Sequence, residues 1–202
     1  MLSALLVAPL LAAHLALPLH AREVRAKGIV VRASATERAG VTHAELDITA
    51  KGVAQHIELG ERNVGADVLL RSVDIVDANF DGHPDIVVLR ELGAKWSRID
   101  VFLFDPRARR FTQSSGLSRA LSSLSNAMYD GAHKTITTRD IGPSNPSRIT
   151  YAIDGSHLRV LDACRFINPG AERVGTLVRT HGAASSYTKL SLSSFDVEPC
   201  GL

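Results

Sequence analysis

The chemistry most legible in this chain lies in one acidic stretch of nine residues. Asp77, Asn79, Asp81 and Asp85 fall at positions 1, 3, 5 and 9 of an EF-hand-type calcium loop, with Gly82 at position 6. Calcium takes about six to eight hard oxygen ligands, and alternate side chains on a tight loop can converge on one ion. Gly82 permits the sharp turn, and the backbone carbonyl of His83 at position 7 is a further oxygen ligand. Position 12 is Val88, where an EF-hand carries a bidentate Glu, and Pro84 at position 8 has no N–H to pair with a second loop. Ile86, Val87, Val88 and Leu89 then form a β-branched run that reads as a strand and not as an exiting helix. The expectation is an EF-hand-like loop between two strands, holding Ca2+ through Asp77, Asn79, Asp81, His83 and Asp85. The plainer alternative is an acidic turn without metal, because Asp, Asn and Gly are ordinary turn residues. The ion would be structural, since calcium is a poor Lewis acid for hydrolysis beside zinc.

Other chemistries have no comparable pattern. The chain lacks a Gly-x-Ser-x-Gly elbow, His-Glu-x-x-His, Cys-x-x-Cys and a phosphate-binding Gly loop. Its eight histidines are scattered, and sites need geometry, so no catalytic residues are assigned and the chain is expected not to be an enzyme. The Pro- and Ser-rich stretch 139–147, with Arg139, Ser144, Asn145, Arg148 and Tyr151 in or beside it, suits a partner-binding surface. Arg and Tyr are typical interface anchors, although an ordinary connector has the same composition. The stretch 182–187 is a second such loop with smaller residues. Trp96 lies between two strong strands and reads as a cap on the core in preference to a contact residue at a hairpin tip.

The elements that must position these residues are strands. Residues 28–35, 43–49, 54–59 and 67–76 read as strands, the second with Ala44, Leu46 and Ile48 alternating against polar neighbours. Residues 85–89 and 98–104 are the most apolar, and are expected to pair in the core. An Asp105-Pro106 turn leads back into 110–112 as a hairpin. Leu117, Ala120, Leu121 and Leu124 have helical spacing, and 134–138, 148–153, 158–161, 173–180 and 188–193 read as further short strands. So many strands with so little helix imply one all-β domain, whether sandwich, barrel or propeller.

The 202 residues suit one compact domain. Residues 1–21 read as a secretory signal peptide cleaved near Ala21, because 2–19 are apolar and free of Lys, Arg, Asp and Glu. An uncleaved anchor is the alternative, and a mobile lead-in is expected to Lys27. The remaining 22–202 form the expected domain, periplasmic and with no transmembrane segment. The net charge is +2 with no basic cluster, which argues against nucleic acid as a partner. Cys164 and Cys200 are the only cysteines, and in an exported chain they are expected to pair.

Several stretches together resemble a known family. They are the 77–85 loop; Val101-Phe-Leu-Phe-Asp-Pro106 with Arg110 and Phe111; the short helix at 117–124; and Asn126 with His133-Lys-Thr-Ile-Thr137. Their order is similar to that of exported immunity proteins that protect bacteria from peptidoglycan hydrolases delivered by type IV secretion systems. The likeness covers roughly 67–138 and, more loosely, the rest. It implies a calcium-containing, β-propeller-like periplasmic domain that binds and blocks a lysozyme-like enzyme, and the chain is expected to be a monomer. Some members are lipoproteins, but this chain has no Cys near the cleavage point. The alternative function is a calcium-stabilised adhesion or glycan-binding module of the cell envelope.

Overall fold

A computed structural model describes residues 19–50, 52–140, 146–167, 174–191 and 200. Its described residues form three antiparallel sheets, each a meander in which neighbours in sequence are neighbours in space. The first contains β1 (Leu19–Ala26), β2 (Ile29–Arg38), β3 (Val41–Ala50) and β4 (Val53–Arg62). Helix α1 (Ala66–Arg71) follows, then a second sheet of β5 (Asp74–Val76), β6 (Asp85–Leu92), β7 (Ser97–Asp105) and β8 (Arg110–Thr112). After helix α2 (Gly116–Ser123) comes a six-stranded third sheet. Its strands are β9 (Met128–Asp130), β10 (Thr135–Asp140), β11 (Ser147–Asp154), β12 (His157–Ile167), β13 (Val174–His181) and β14 (Ala184–Ser191). The expected all-β class is what the structure shows. The described sheets are open, and no barrel or propeller ring closes among them.

The second sheet is the middle layer. Ile86, Val88, Phe102 and Phe104 face the first sheet and α1, packing on Val31, Leu46, Ile48 and Leu69. Val87, Val101 and Leu103 face the other way, against Leu117 and Leu121 of α2 and Ile136 of β10. Strands covered on both faces must be apolar on both, which is why β6 and β7 read as continuous apolar runs while β3 alternates. Each fully buried Leu, Ile or Phe side chain here contributes roughly 1.5–3 kcal/mol.

Two expectations about the early chain are corrected. Residues 22–27 are not a mobile lead-in, for β1 covers them as far as Ala26 and pairs with β2 from Leu19↔Thr36 to Ala26↔Ile29. Val24 and Ala26 pack on the core, and the Arg22 guanidinium donates to the carbonyls of Leu70 and Arg71 at the end of α1. Residues 67–76 are not one strand. Ala66, Leu69 and Leu70 are buried at helical spacing, so the chain forms α1 and leaves three residues for β5. Residues 182–187, expected as a loop, turn at Gly182 and enter β14.

Cys164 in β12 and Cys200 are joined in the expected disulfide, with Cα atoms 5.6 Å apart. Among the described residues, no helix is long and apolar enough to cross a membrane.

Candidate functional site

The acidic loop leaves β5 at Val76 and returns as β6 at Asp85. Phe80 (φ 60°) and Gly82 (φ 88°) adopt left-handed backbone, which makes the turn tight enough to fold side chains back on amides. The Asp77 carboxylate accepts from the amides of Asp81 at 3.0 Å and Gly82 at 2.9 Å. Asn79 Oδ1 accepts from Asp81 N at 3.2 Å, its Nδ2 donates to Asp81 at 2.9 Å, and Asp81 Oδ1 accepts from His83 N at 2.7 Å. Thus Asp77, Asn79 and Asp81 stand on one exposed turn, already ordered by the backbone.

Asp85 is placed differently. It is fully buried, and its two oxygens accept from Ala78 N at 2.9 Å and Phe104 N at 2.8 Å, stapling the loop to β7. Burial pushes its pKa up to about 6, against the two amide bonds and with help from the charges of Asp81 and Asp77. Beside it, the buried Tyr129 hydroxyl has no hydrogen-bond partner among the described residues, and burial drives its pKa upward. Tyr129, Lys134 and the loop line a depression of about 520 Å³.

These residues fit a hard cation in part. Asp77, Asn79 and Asp81 present oxygens from one turn, but Asn79 gives its amide to Asp81, and Asp85 gives its oxygens to the backbone. Among the described residues, no group of three or more His, Cys, Asp or Glu side chains is gathered closely enough to hold an ion.

A pH dependence follows from Asp85. Its carboxyl binds a proton more tightly folded than unfolded, from 3.8 to about 6. The stability it contributes is therefore complete below about pH 4 and is lost as pH rises through 6. In a chelator, urea unfolding between pH 4 and 7 is expected to show that downward slope. Asp85→Asn should be less stable overall, because one amide loses its acceptor, but should flatten the slope. An unchanged slope would assign the dependence to another group.

The second region lies at the tip of the β6–β7 hairpin. Trp96 is 42 % exposed, so it is not the expected core cap. Its ring lies over Gly93, where an added Cβ would sit 2.3 Å from Nε1. The Arg98 guanidinium stacks on that ring at 5.3 Å. Asn126 pins the hairpin in place. With φ 51°, it donates Nδ2 to the carbonyls of Lys95 at 3.0 Å and Arg139 at 2.8 Å, and accepts from Ser97 N at 2.8 Å. Together these form a cleft of about 450 Å³ lined by Trp96, Arg98, Asn126, Arg139, Asp140 and Tyr151, among others. A register shift between Thr150 and Tyr151 marks the strand beside it.

Of the expected partner-binding residues, the structure brings Arg139 and Tyr151 to this cleft. Arg148 lies across from Arg139 in the β10–β11 pair but does not line it. Ser144 and Asn145 lie outside the described residues. Sequence reading missed Arg98 and Asn126 as parts of this surface, and its signal was thin: Asn is one of the few residues that tolerates left-handed backbone.

A solved Xanthomonas protein described as type IV secretion system related has a similar fold. The TM-score is 0.56 at 18% identity, over 83% of this chain and 92% of that one. No family model matches the chain, and neither does any curated protein. At that identity the likeness shows a shared fold.

Proposed function

We propose that this protein is an exported, periplasmic inhibitor of the immunity type, which binds and blocks a lysozyme-like, peptidoglycan-degrading enzyme delivered by type IV secretion. The observation that carries this reading is the fold shared with a protein described as type IV secretion system related. The resemblance of residues 67–138 supplies the class of partner, and the Cys164–Cys200 disulfide suits an oxidising compartment. The protein acts by obstruction, through the cleft that holds Arg139 and Tyr151. Its successive meanders are the kind of unit from which propeller blades are built, so the architecture is read as propeller-like.

In this reading Asp77, Asn79, Asp81 and the His83 carbonyl hold a structural Ca2+, with Asp85 beneath them. The ion supplies positive charge that offsets the crowded carboxylates of the turn. The chain's own residues do the rest: Asp85 fixes the loop to β7, and Phe80 and Gly82 shape it.

The test is a titration of purified protein into lysozyme-fold peptidoglycan hydrolases. Activity is expected to vanish at one-to-one stoichiometry, with no cell-wall cleavage by the protein alone. Hydrolases left fully active would overturn the reading. Added calcium should raise the melting temperature of the parent and not that of Asp81→Ala. An equal calcium response in both would remove the ion from the account.

The exposed Trp96 and the half-buried Tyr151, two aromatics on one cleft, favour the glycan-binding alternative as a second reading. Retention on insoluble peptidoglycan with no partner protein present would establish it.

A further inference from the structure

Three of the large apolar side chains exposed in this protein gather at one place. Leu92 is 54 % exposed, Trp96 42 % and Met128 45 %, and all three line a single depression of about 520 Å³ at the β6–β7 hairpin. Large exposed apolar side chains scattered singly need no explanation, but a cluster rimmed by polar groups marks an interaction surface. Lys95 and Arg139 form the rim, and Arg98 holds the Trp96 ring from the adjoining cleft. Neither the Lys95 nor the Arg139 side chain has a carboxylate partner among the described residues.

The surface is fixed before anything binds. Gly93 N donates to Trp96 O at 2.8 Å, which closes the hairpin, and Asn126 ties Lys95 and Ser97 to the end of β10. Trp, Met and Arg are enriched in interface cores, and a preformed anchor avoids the entropy of ordering a loop. Of the cations lining the two depressions, Arg98 meets Glu91 at 3.4 Å, which leaves Lys95 and Arg139 beside the lining carboxylate Asp140. The occupant complementary to this surface is therefore both apolar and acidic.

We propose that the Leu92–Trp96–Met128 patch docks into a carboxylate-lined cleft on a partner protein, Trp96 entering the cleft while Lys95 and Arg139 meet its acidic groups. This rests on the inhibitor reading above. A glycoside-hydrolase cleft carries a pair of Asp or Glu residues flanking the bond it cuts, and so presents that chemistry. Leu92 and Met128 exclude water around the anchor. The cations set orientation and speed encounter.

The experiment uses the full chain with its disulfide intact and purified lysozyme-fold hydrolases as the probe. Binding is measured by calorimetry at low and high salt, and inhibition by clearing of a peptidoglycan suspension. Trp96→Ala is expected to weaken binding about 30-fold or more. Arg139→Glu should weaken it about tenfold and reduce its salt dependence. Tyr187→Ala, at an exposed position on β14 away from the patch, should match the parent. Melting curves check that each variant is folded. Replacing both cleft carboxylates of the hydrolase by amides should weaken the parent complex. Parent-like inhibition by folded Trp96→Ala and Arg139→Glu would overturn this surface alone. A parent that binds no hydrolase would overturn the functional reading and this occupant with it. Self-association, or peptidoglycan retention, abolished by Trp96→Ala would assign the patch to a different occupant.

Discussion

Asp100→Ala is expected to lower the unfolding free energy by about 3–5 kcal/mol, the usual cost of stranding a buried charge. Asp100 on β7 meets Arg62 at the end of β4 at 2.7 Å, with the two side chains only 5 % and 10 % exposed. Its other oxygen accepts from Gln113 at 2.7 Å and faces Arg90 at 3.5 Å. Arg90 sits where the β6–β7 register shifts, and reaches on to the Ser122 carbonyl of α2 at 3.2 Å. One carboxylate thus ties the first sheet, the second sheet and α2 together. Removing it leaves two guanidinium groups facing each other's charge, and Arg62 Nε already has no partner among the described residues. Urea unfolding measures the loss. The pair need not be net stabilising over an apolar one, so Arg62→Met with Asp100→Leu should recover much of it. A loss under about 1 kcal/mol for Asp100→Ala would show that water reaches the pair.

How much of this was legible beforehand depends on where each residue's partner lies. The alternation of Ala44, Leu46 and Ile48 and the unbroken apolar runs of β6 and β7 are local signals, and the structure follows them. Helix α2 was equally plain, since Leu117 and Leu121 share a face and Ser115 caps its start by accepting from Ser118 N. β1 was obscured by Arg22, Glu23 and Arg25: only Val24 and Ala26 of its described side chains pack on the core, and Arg22 finds its partner on the end of α1, 48 residues away. β9, at three residues, is too short to show a period.

The same division runs through the sites. The turn built by Asp77, Asn79, Asp81 and Gly82 follows from residue type and spacing, because its hydrogen bonds span five residues or fewer. The burial of Asp85 under Phe104 is a contact across 19 residues, so spacing alone treats it as one more ligand. Trp96 was misread as a core cap for a similar reason. What holds its hairpin outward is Asn126, some 30 residues on, and nothing near Trp96 in sequence announces that clamp.

Cys200→Ser should cost about 4 kcal/mol, the chain-entropy value for a loop closed across 36 residues. The reason to expect most of that value lies in how few of the described side chains on the outer strands of the third sheet are buried. Cys164 and Cys200 are both buried, and among the described residues the apolar cluster around them adds only Leu177. β13 and β14 pair with each other and with β12, yet the described side chains of β14 are exposed, among them Tyr187 at 72 %. β10, toward the opposite edge of the same sheet, differs, for it sinks Ile136 into the core beside α2. A sheet edge with few buried contacts opens at low free energy, so the covalent tie carries weight that a larger core would otherwise share. Guanidinium unfolding of Cys200→Ser against the oxidised parent measures the loss, and Cys164→Ser should match it. Amide exchange in the variant should speed up first in β13 and β14, leaving β6 and β7 protected. A variant within about 1 kcal/mol of the parent would mean that strand pairing alone secures the end of the sheet.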